Sequence, residues 1–170
     1  DAMADKLKER IRFTQELIDA IPVPVFYKDL ESRYLGCNEL FAEVMGVKSE
    51  QIKGRTVAEL WPSEHADIYH QKDLALMVNP VTQQYEFQIK DKHGQIRDVI
   101  YGKGAFFDEH GQVAGIIGAF FDITDKKRAE QELRYLANYD TLTGLPNRAL
   151  LSERLGRAIM RARRQGRRVA

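Results

Sequence analysis

The chain has 170 residues, 44% hydrophobic and 30% charged, with 26 Lys+Arg against 25 Asp+Glu and a formal net charge of +1. That length holds one core-bearing domain with appendages. No apolar run approaches the roughly 20 residues of a membrane helix, and no basic-then-apolar leader is visible. Cys37, the one cysteine, excludes an internal disulfide and fits the reducing cytoplasm, where the chain is expected to act.

Residues 7–21 are predicted to form a helix. Leu7, Ile11, Thr14, Ile18 and Ile21 recur at steps of four and three, a heptad seam that Pro22 and Pro24 close. So short a helix needs a partner. Leu7, Ile11, Ile18 and Ile21 are either the seam of a homodimer or a face packed on the same chain. Residues 24–27 read as a strand, 29–32 as a tight turn and 34–35 as the return strand. Asn38 is a plausible N-cap for a helix carrying Leu40, Phe41, Val44 and Met45, which Gly46 ends. Ser49, Gln51 and Ile52 suggest a short helix closed by Gly54, and residues 56–61 a connecting turn. Ser63 could cap a longer helix through about Met77. Its candidate apolar face, Ala66, Tyr69 or His70, Asp73 or Leu74, and Met77, fits only in part.

Three strands are expected next. Tyr85, Phe87 and Ile89 alternate with polar residues, so one face of the first is buried. The second runs over 97–107 and the third over 113–123, joined by turns at Gly94 and Gly111. The pattern then turns helical, with Ala129, Leu133 and Leu136 as an inner stripe. Another helix over 147–164 carries Leu151, Leu155, Ala158 or Ile159, and Ala162.

Two strands, several helices and three strands, closing on Asp122-Ile123-Thr124, resemble a PAS domain over 22–124. The wording of segments 36–46, 85–124 and 125–148 is similar to that of bacterial proteins joining PAS to GGDEF domains. The string Asp140-Thr141-Leu142-Thr143-Gly144-Leu145-Pro146-Asn147-Arg148 resembles the opening of a GGDEF domain, the diguanylate cyclase that joins two GTP into cyclic di-GMP. The expected fold is α+β: a five-stranded antiparallel PAS sheet with flanking helices and helical extensions at both ends. The expected organisation is an amphipathic helix at 1–21, PAS at 22–124, a helical connector at 125–139 and a truncated GGDEF start at 140–170. The first residue is Asp rather than Met, consistent with a segment of a longer protein.

The resemblance implies a sensory input module that regulates a cyclase through Asp122, Ile123, Thr124 and the connector. It places the first metal-binding Asp of the cyclase beyond Ala170, so no catalytic residue is expected in this chain. Asp140 is read as a turn cap or as a partner of Arg148. PAS cores commonly enclose a cavity, and Tyr69, Tyr85, Phe87, Tyr101 and Lys103 are the candidates to line one, holding a small organic ligand by a carboxylate or carbonyl. Those aromatics could equally fill the core, leaving a module that only dimerises. A third reading is a degenerate or phosphodiesterase output.

The cofactor is left open, with haem and flavin disfavoured. His70 is a lone histidine on a mostly polar helix, and Cys37 lacks the sequence context of flavin-adduct cysteines. His65, His93 and His110 show no metal-ligand spacing. Residues 126–170 carry 12 Lys+Arg and 4 Asp+Glu, a net +8. No aromatic interleaves with Arg154 to Arg168, so nucleic acid is not an expected partner.

Overall fold

The computed structural model describes residues 2–63 and 66–166; His65, Arg168, Val169 and Ala170 lie outside the described residues. The chain divides into two units, 1–123 and 124–170. In the first, α1 (Ala2–Asp19) precedes β1 (Val25–Lys28) and β2 (Tyr34–Cys37). Four helices follow: α2 (Glu39–Met45), α3 (Ser49–Ile52), α4 (Val57–Leu60) and α5 (Ala66–Val78). Then come β3 (Gln83–Lys90), β4 (Ile96–Phe107) and β5 (Val113–Asp122). The five strands form one antiparallel sheet in the order β2-β1-β5-β4-β3. This is the expected α+β, PAS-type architecture.

Period-two alternation decides what the sheet buries. Phe26 and Lys28 of β1, Val99, Tyr101 and Lys103 of β4, and Ile116 and Phe120 of β5 are all buried. On β5, Gly118 pairs with Phe26 on one side and Lys103 on the other. A methyl group at Gly118 would run into the Phe26 ring, so the missing side chain lets that ring lie across the strand. Phe26, Tyr34, Phe41, Tyr101 and Phe120 join Ile52, Ile89 and Val99 in the core cluster. Its ring pairs include Phe41 with Phe120 (centroids 6.0 Å apart) and Tyr101 with Phe120 (5.3 Å).

Each hairpin turn is organised by an aspartate. Oδ1 of Asp29 accepts from the N–H groups of Glu31 and Arg33, that of Asp91 from His93 and Gln95, and that of Asp108 from His110 and Gln112. These Asx turns let the side chain imitate a backbone carbonyl. Gly94 and Gly111 supply the positive φ that the last two need.

The helix expected over 7–21 stops at Asp19, leaving Ile21 beyond it. Pro22 disfavours the helical region for the residue before it. The two readings of the seam divide along its length. Near its end α1 is tied to its own unit: the Gln15 amide donates to the Cys37 carbonyl (3.1 Å), and the Glu39 N–H to the Asp19 carboxylate (2.8 Å). Farther back, Leu7 and Ile11 are 60% and 62% exposed. Residues 56–61 hold a one-turn helix rather than a plain turn, because Thr56 and Glu59 form a reciprocal capping box.

The second unit contains α6 (Thr124–Asn138) and α7 (Arg148–Gln165). Between them Tyr139 and Pro146 form an isolated bridge. The Asp140 carboxylate accepts from the N–H groups of Leu142 (3.1 Å) and Thr143 (2.9 Å) and from the Thr143 hydroxyl. These bonds, that from the Thr143 N–H foremost, hold its carboxyl below the ordinary value. Asp140 is thus the cap of the turn, and the Arg148 pairing is not formed. Asn147 caps α7, its side chain accepting from the Leu150 N–H (3.0 Å).

Asn38 carries more of the fold than its cap role suggests. Oδ1 accepts from the N–H groups of Phe41 (3.0 Å) and Val25 (2.9 Å), while Nδ2 donates to the carbonyls of Val23 (2.7 Å) and Ile18 (3.1 Å). One buried amide therefore joins α2, β1 and the end of α1. Losing a cap costs about 0.5–2 kcal/mol, and each orphaned buried group about 1–3 kcal/mol. Asn38→Ala is expected to lose about 2–4 kcal/mol in urea unfolding, measured by circular dichroism. A loss under about 1 kcal/mol, the ordinary scale of a surface change, would contradict this role.

Candidate functional site

Three charged side chains meet inside the first unit. On α5, Ala66, Asp73 and Leu76 face inward and are buried, so the helix points a carboxylate into the core. Lys28 Nζ lies 2.7 Å from Asp73 Oδ2, and Lys103 Nζ lies 2.6 Å from Asp73 Oδ1. Their side chains are 1%, 1% and 0% exposed for Lys28, Lys103 and Asp73. Two strands and a helix thus converge on one carboxylate, with two cations for one anion.

Aromatic faces surround the ammoniums. Lys28 Nζ is 4.8 Å from the Tyr34 ring centroid and 5.4 Å from that of Phe26. Lys103 Nζ is 5.5 Å from the Tyr69 centroid and 5.7 Å from that of Tyr101. Cation–π attraction compensates part of the lost hydration. The Lys28 amine is still pushed below the ordinary lysine value, first by burial, against the opposing pull of Asp73. Burial also raises the phenols of Tyr34, Tyr69 and Tyr101, which stay neutral donors at physiological pH.

Both lysines open onto a cavity of about 760 Å³. Aromatic and apolar side chains make most of its walls, among them Phe26, Tyr34, Phe41, Trp61, Tyr69, Phe87 and Tyr101, and Ser63, Gln88 and the exposed Lys90 add polar groups. Asp73 does not line it, and neither does any other acidic side chain among the described residues. Lys28 and Lys103 are thus among the lining residues, while the Asp73 that pairs with both is not.

Of the residues that sequence suggested for a cavity, Tyr69, Phe87, Tyr101 and Lys103 line it. Tyr85 does not: it faces a separate surface cleft with Lys72 and Gln83. Its ring stacks on Tyr101 (centroids 5.6 Å apart, planes 18° apart), and the Lys72 amine sits 4.1 Å from its centroid. Tyr85 shares the Phe87 face of β3, and its ring centroid is 5.7 Å from Lys103 Nζ, the same distance as that of Tyr101. Sequence reasoning missed Lys28 and Asp73. The readable signal was a lysine on the inward phase of each of two strands, Phe26-x-Lys28 and Tyr101-x-Lys103, and an aspartate on the inner face of α5.

His70 is exposed, as expected of a lone histidine on this helix. The Cys37 thiol is buried and pushed up to about 11, first by burial, so it is not a ready nucleophile. Among the described residues no group of three or more His, Cys, Asp or Glu is placed to hold a metal ion. None of their helices is long and apolar enough to cross a membrane. At the junction, β5 ends at Asp122, α6 begins at Thr124, and the Ile123 N–H donates to the Asp98 carbonyl (2.8 Å).

A five-stranded antiparallel sheet flanked by short helices, with a cavity beside it, is the architecture of a sensory domain of signalling proteins. A family model described as the PAS fold matches residues 18–128, and the chain belongs to that family. The virulence sensor protein BvgS of Bordetella parapertussis is 29% identical over 130 residues, 75% of this chain and 10% of BvgS. The cyclic di-GMP phosphodiesterase PdeR of Escherichia coli is 25% identical over 162 residues, 95% of this chain and 24% of PdeR. The solved PAS domain of Bordetella pertussis BvgS matches with a TM-score of 0.61 at 27% identity, over 76% of this chain and 97% of that one. The chain therefore spans between a tenth and a quarter of the length of these curated relatives.

Removing Asp73 strands two buried ammoniums. Asp73→Ala is expected to cost about 3–5 kcal/mol, whereas Lys28→Met leaves a one-to-one pair and is expected to be neutral or stabilising. The pH dependence should separate them. The folded Lys28 pKa lies below the unfolded 10.5, so its charged form penalises the fold at neutral pH. As pH rises from the folded value towards 10.5, the native state sheds this proton first and stability recovers. The buried tyrosines act oppositely above about pH 10, but in both proteins. The wild type minus Lys28→Met difference in urea unfolding should therefore narrow through that alkaline window. A difference that stays constant, or widens, would contradict the site's electrostatics.

Proposed function

We propose that the chain is the cytoplasmic PAS input module of a diguanylate cyclase, in which a small ligand in the cavity regulates cyclic di-GMP synthesis by a GGDEF output. The observation that carries this is the motif from Asp140 to Arg148, placed by α6 directly after the cavity-bearing unit. Asp140 there shapes the turn that leads into the Asn147-capped α7. The PdeR match supports the reading because it covers 95% of the chain, connector and α7 included. The exposed stripe Leu151, Leu155 and Ile159 on α7 suits a helix that covers the sheet of a larger domain. The cavity favours a ligand-binding sensor over a filled scaffold that only dimerises. Because PdeR is named a phosphodiesterase, an output that degrades cyclic di-GMP is the second reading.

Signal would pass from the sheet through Asp122, Ile123 and Thr124 into α6. A ligand shifts an output only if it binds two conformations with different affinity. Coupling of 1–3 kcal/mol, about 5–150-fold, is typical. The two GTP must meet, so the module would work as a parallel homodimer, with Leu7 and Ile11 of α1 as the free part of the seam.

Two measurements test this reading. The full-length parent, given GTP and Mg²⁺, is expected to make cyclic di-GMP. Asp122→Ala and Thr124→Ala should change the ratio of ligand-stimulated to basal rate more than they change melting temperature. Hydrolysis of cyclic di-GMP without synthesis would replace the cyclase by the second reading. For the assembly, light scattering should give a dimer for the chain and a monomer for Ile11→Glu. An unaltered mass for the variant would remove the seam.

A further inference from the structure

We infer that the cavity takes a small monocarboxylic acid with an apolar body, its carboxylate held jointly by Lys28 and Lys103. This rests on the ligand-sensing reading above and names the chemistry of the ligand.

Lys28 and Lys103 share the single carboxylate of Asp73, at 2.7 and 2.6 Å, and all three side chains are essentially inaccessible. Two cations on one anion leave a surplus positive charge in a place where water solvates it poorly, and buried charge is tolerated when paired. Aromatic rings at 4.8–5.7 Å lower that cost but supply no hydrogen-bond acceptor. Each ammonium has three N–H donors. One from each is directed to Asp73, and no other acceptor among the described residues takes the rest.

Geometry then says where the missing anion sits. Both lysines line the 760 Å³ cavity, and Asp73 does not. The cavity is therefore the side from which a further acceptor would reach the two lysines, and no acidic side chain among the described residues lines it. One carboxylate neutralises the site and accepts from both ammoniums, as charge-assisted bonds favour. Apart from Ser63, Gln88 and the exposed Lys90, the rest of the wall, with Phe41, Met45, Leu60, Trp61 and Phe87, is suited to an apolar or aromatic body.

The inference also accounts for Lys28. The Asp73–Lys103 pair alone would balance its charge, and Lys28 is the group whose charged form burial disfavours most plainly. A second ammonium that weakens the empty fold is explained by a ligand that needs it.

The test uses the 170-residue chain and a panel of one-ring and two-ring aromatic monocarboxylates, benzoate and 1-naphthoate among them. Each acid is paired with its neutral primary amide, and binding is read by calorimetry and melting temperature. The expected result is that at least one acid binds, at least about tenfold more tightly than its amide, the scale of a charge-assisted hydrogen bond. Lys28→Met and Lys103→Met should each abolish that preference. Urea unfolding of Lys28→Met, expected to be no less stable than wild type, excludes misfolding as the cause. If amides bind as well as acids, or if the preference survives both substitutions, the anion inference is overturned while the ligand-sensing reading stands. If no acid and no amide binds, both fall.

Discussion

The Asp73 carboxylate, shared between two ammoniums, is the constraint on which the rest of this sensor depends. It fixes α5 against β1 and β4 at once, and those strands are the two neighbours of β5 in the sheet. Lys28 pairs in register with Ile116, and Lys103 with Gly118, so the lysines approach Asp73 from the two sides of one strand. A buried ion pair is a poor source of net stability, because desolvation offsets most of the attraction. Its value here is geometric. It permits one position of α5 on the sheet and holds the cavity wall at a defined place.

The remaining packing follows from that arrangement. Phe26, Tyr34 and Phe41 contact one another and Trp61 closes on Tyr34 and Phe41, while Tyr69 of α5 packs on Phe87 and Tyr101. Short helices with strong local caps bridge the gap. Asn38 starts α2, Gly46 ends it with φ 67°, and the Thr56–Glu59 box makes α4 out of four residues. Elements this short have little intrinsic stability and exist because caps and tertiary contacts hold them.

Much of this was legible in the sequence, because local physics governs it. Alternation in Tyr85, Phe87 and Ile89 marked β3, Gly94 and Gly111 marked the hairpins, and Asn38 and Gly46 bracketed α2. Misreadings came from short-range competition. The capping box turned an expected loop into α4, and Pro22 cut α1 before Ile21. The site was only half legible. Lys103 was named as a cavity candidate, but Lys28 is a polar residue at a strand end, where exposure is the ordinary outcome. Asp73 was visible only as a flaw in the apolar face of α5, and a flaw does not name its partner. Its contacts with Lys28 and Lys103 span 45 and 30 residues, and no spacing rule reaches that far. Tyr85 escaped for the same reason: strand phase gives its face but not that its ring lines a separate cleft.

The central claim is that both ammoniums are buried, charged and bound to one carboxylate. Side-chain nitrogen NMR of lysine-labelled protein tests it most directly, because ammonium protons on exposed lysines exchange with water too fast to be seen. The account predicts two persistent ammonium signals, assigned by Lys28→Met and Lys103→Met, both disturbed together by Asp73→Asn. Two signals that exchange as fast as those of surface lysines, or that respond independently to Asp73, would contradict it.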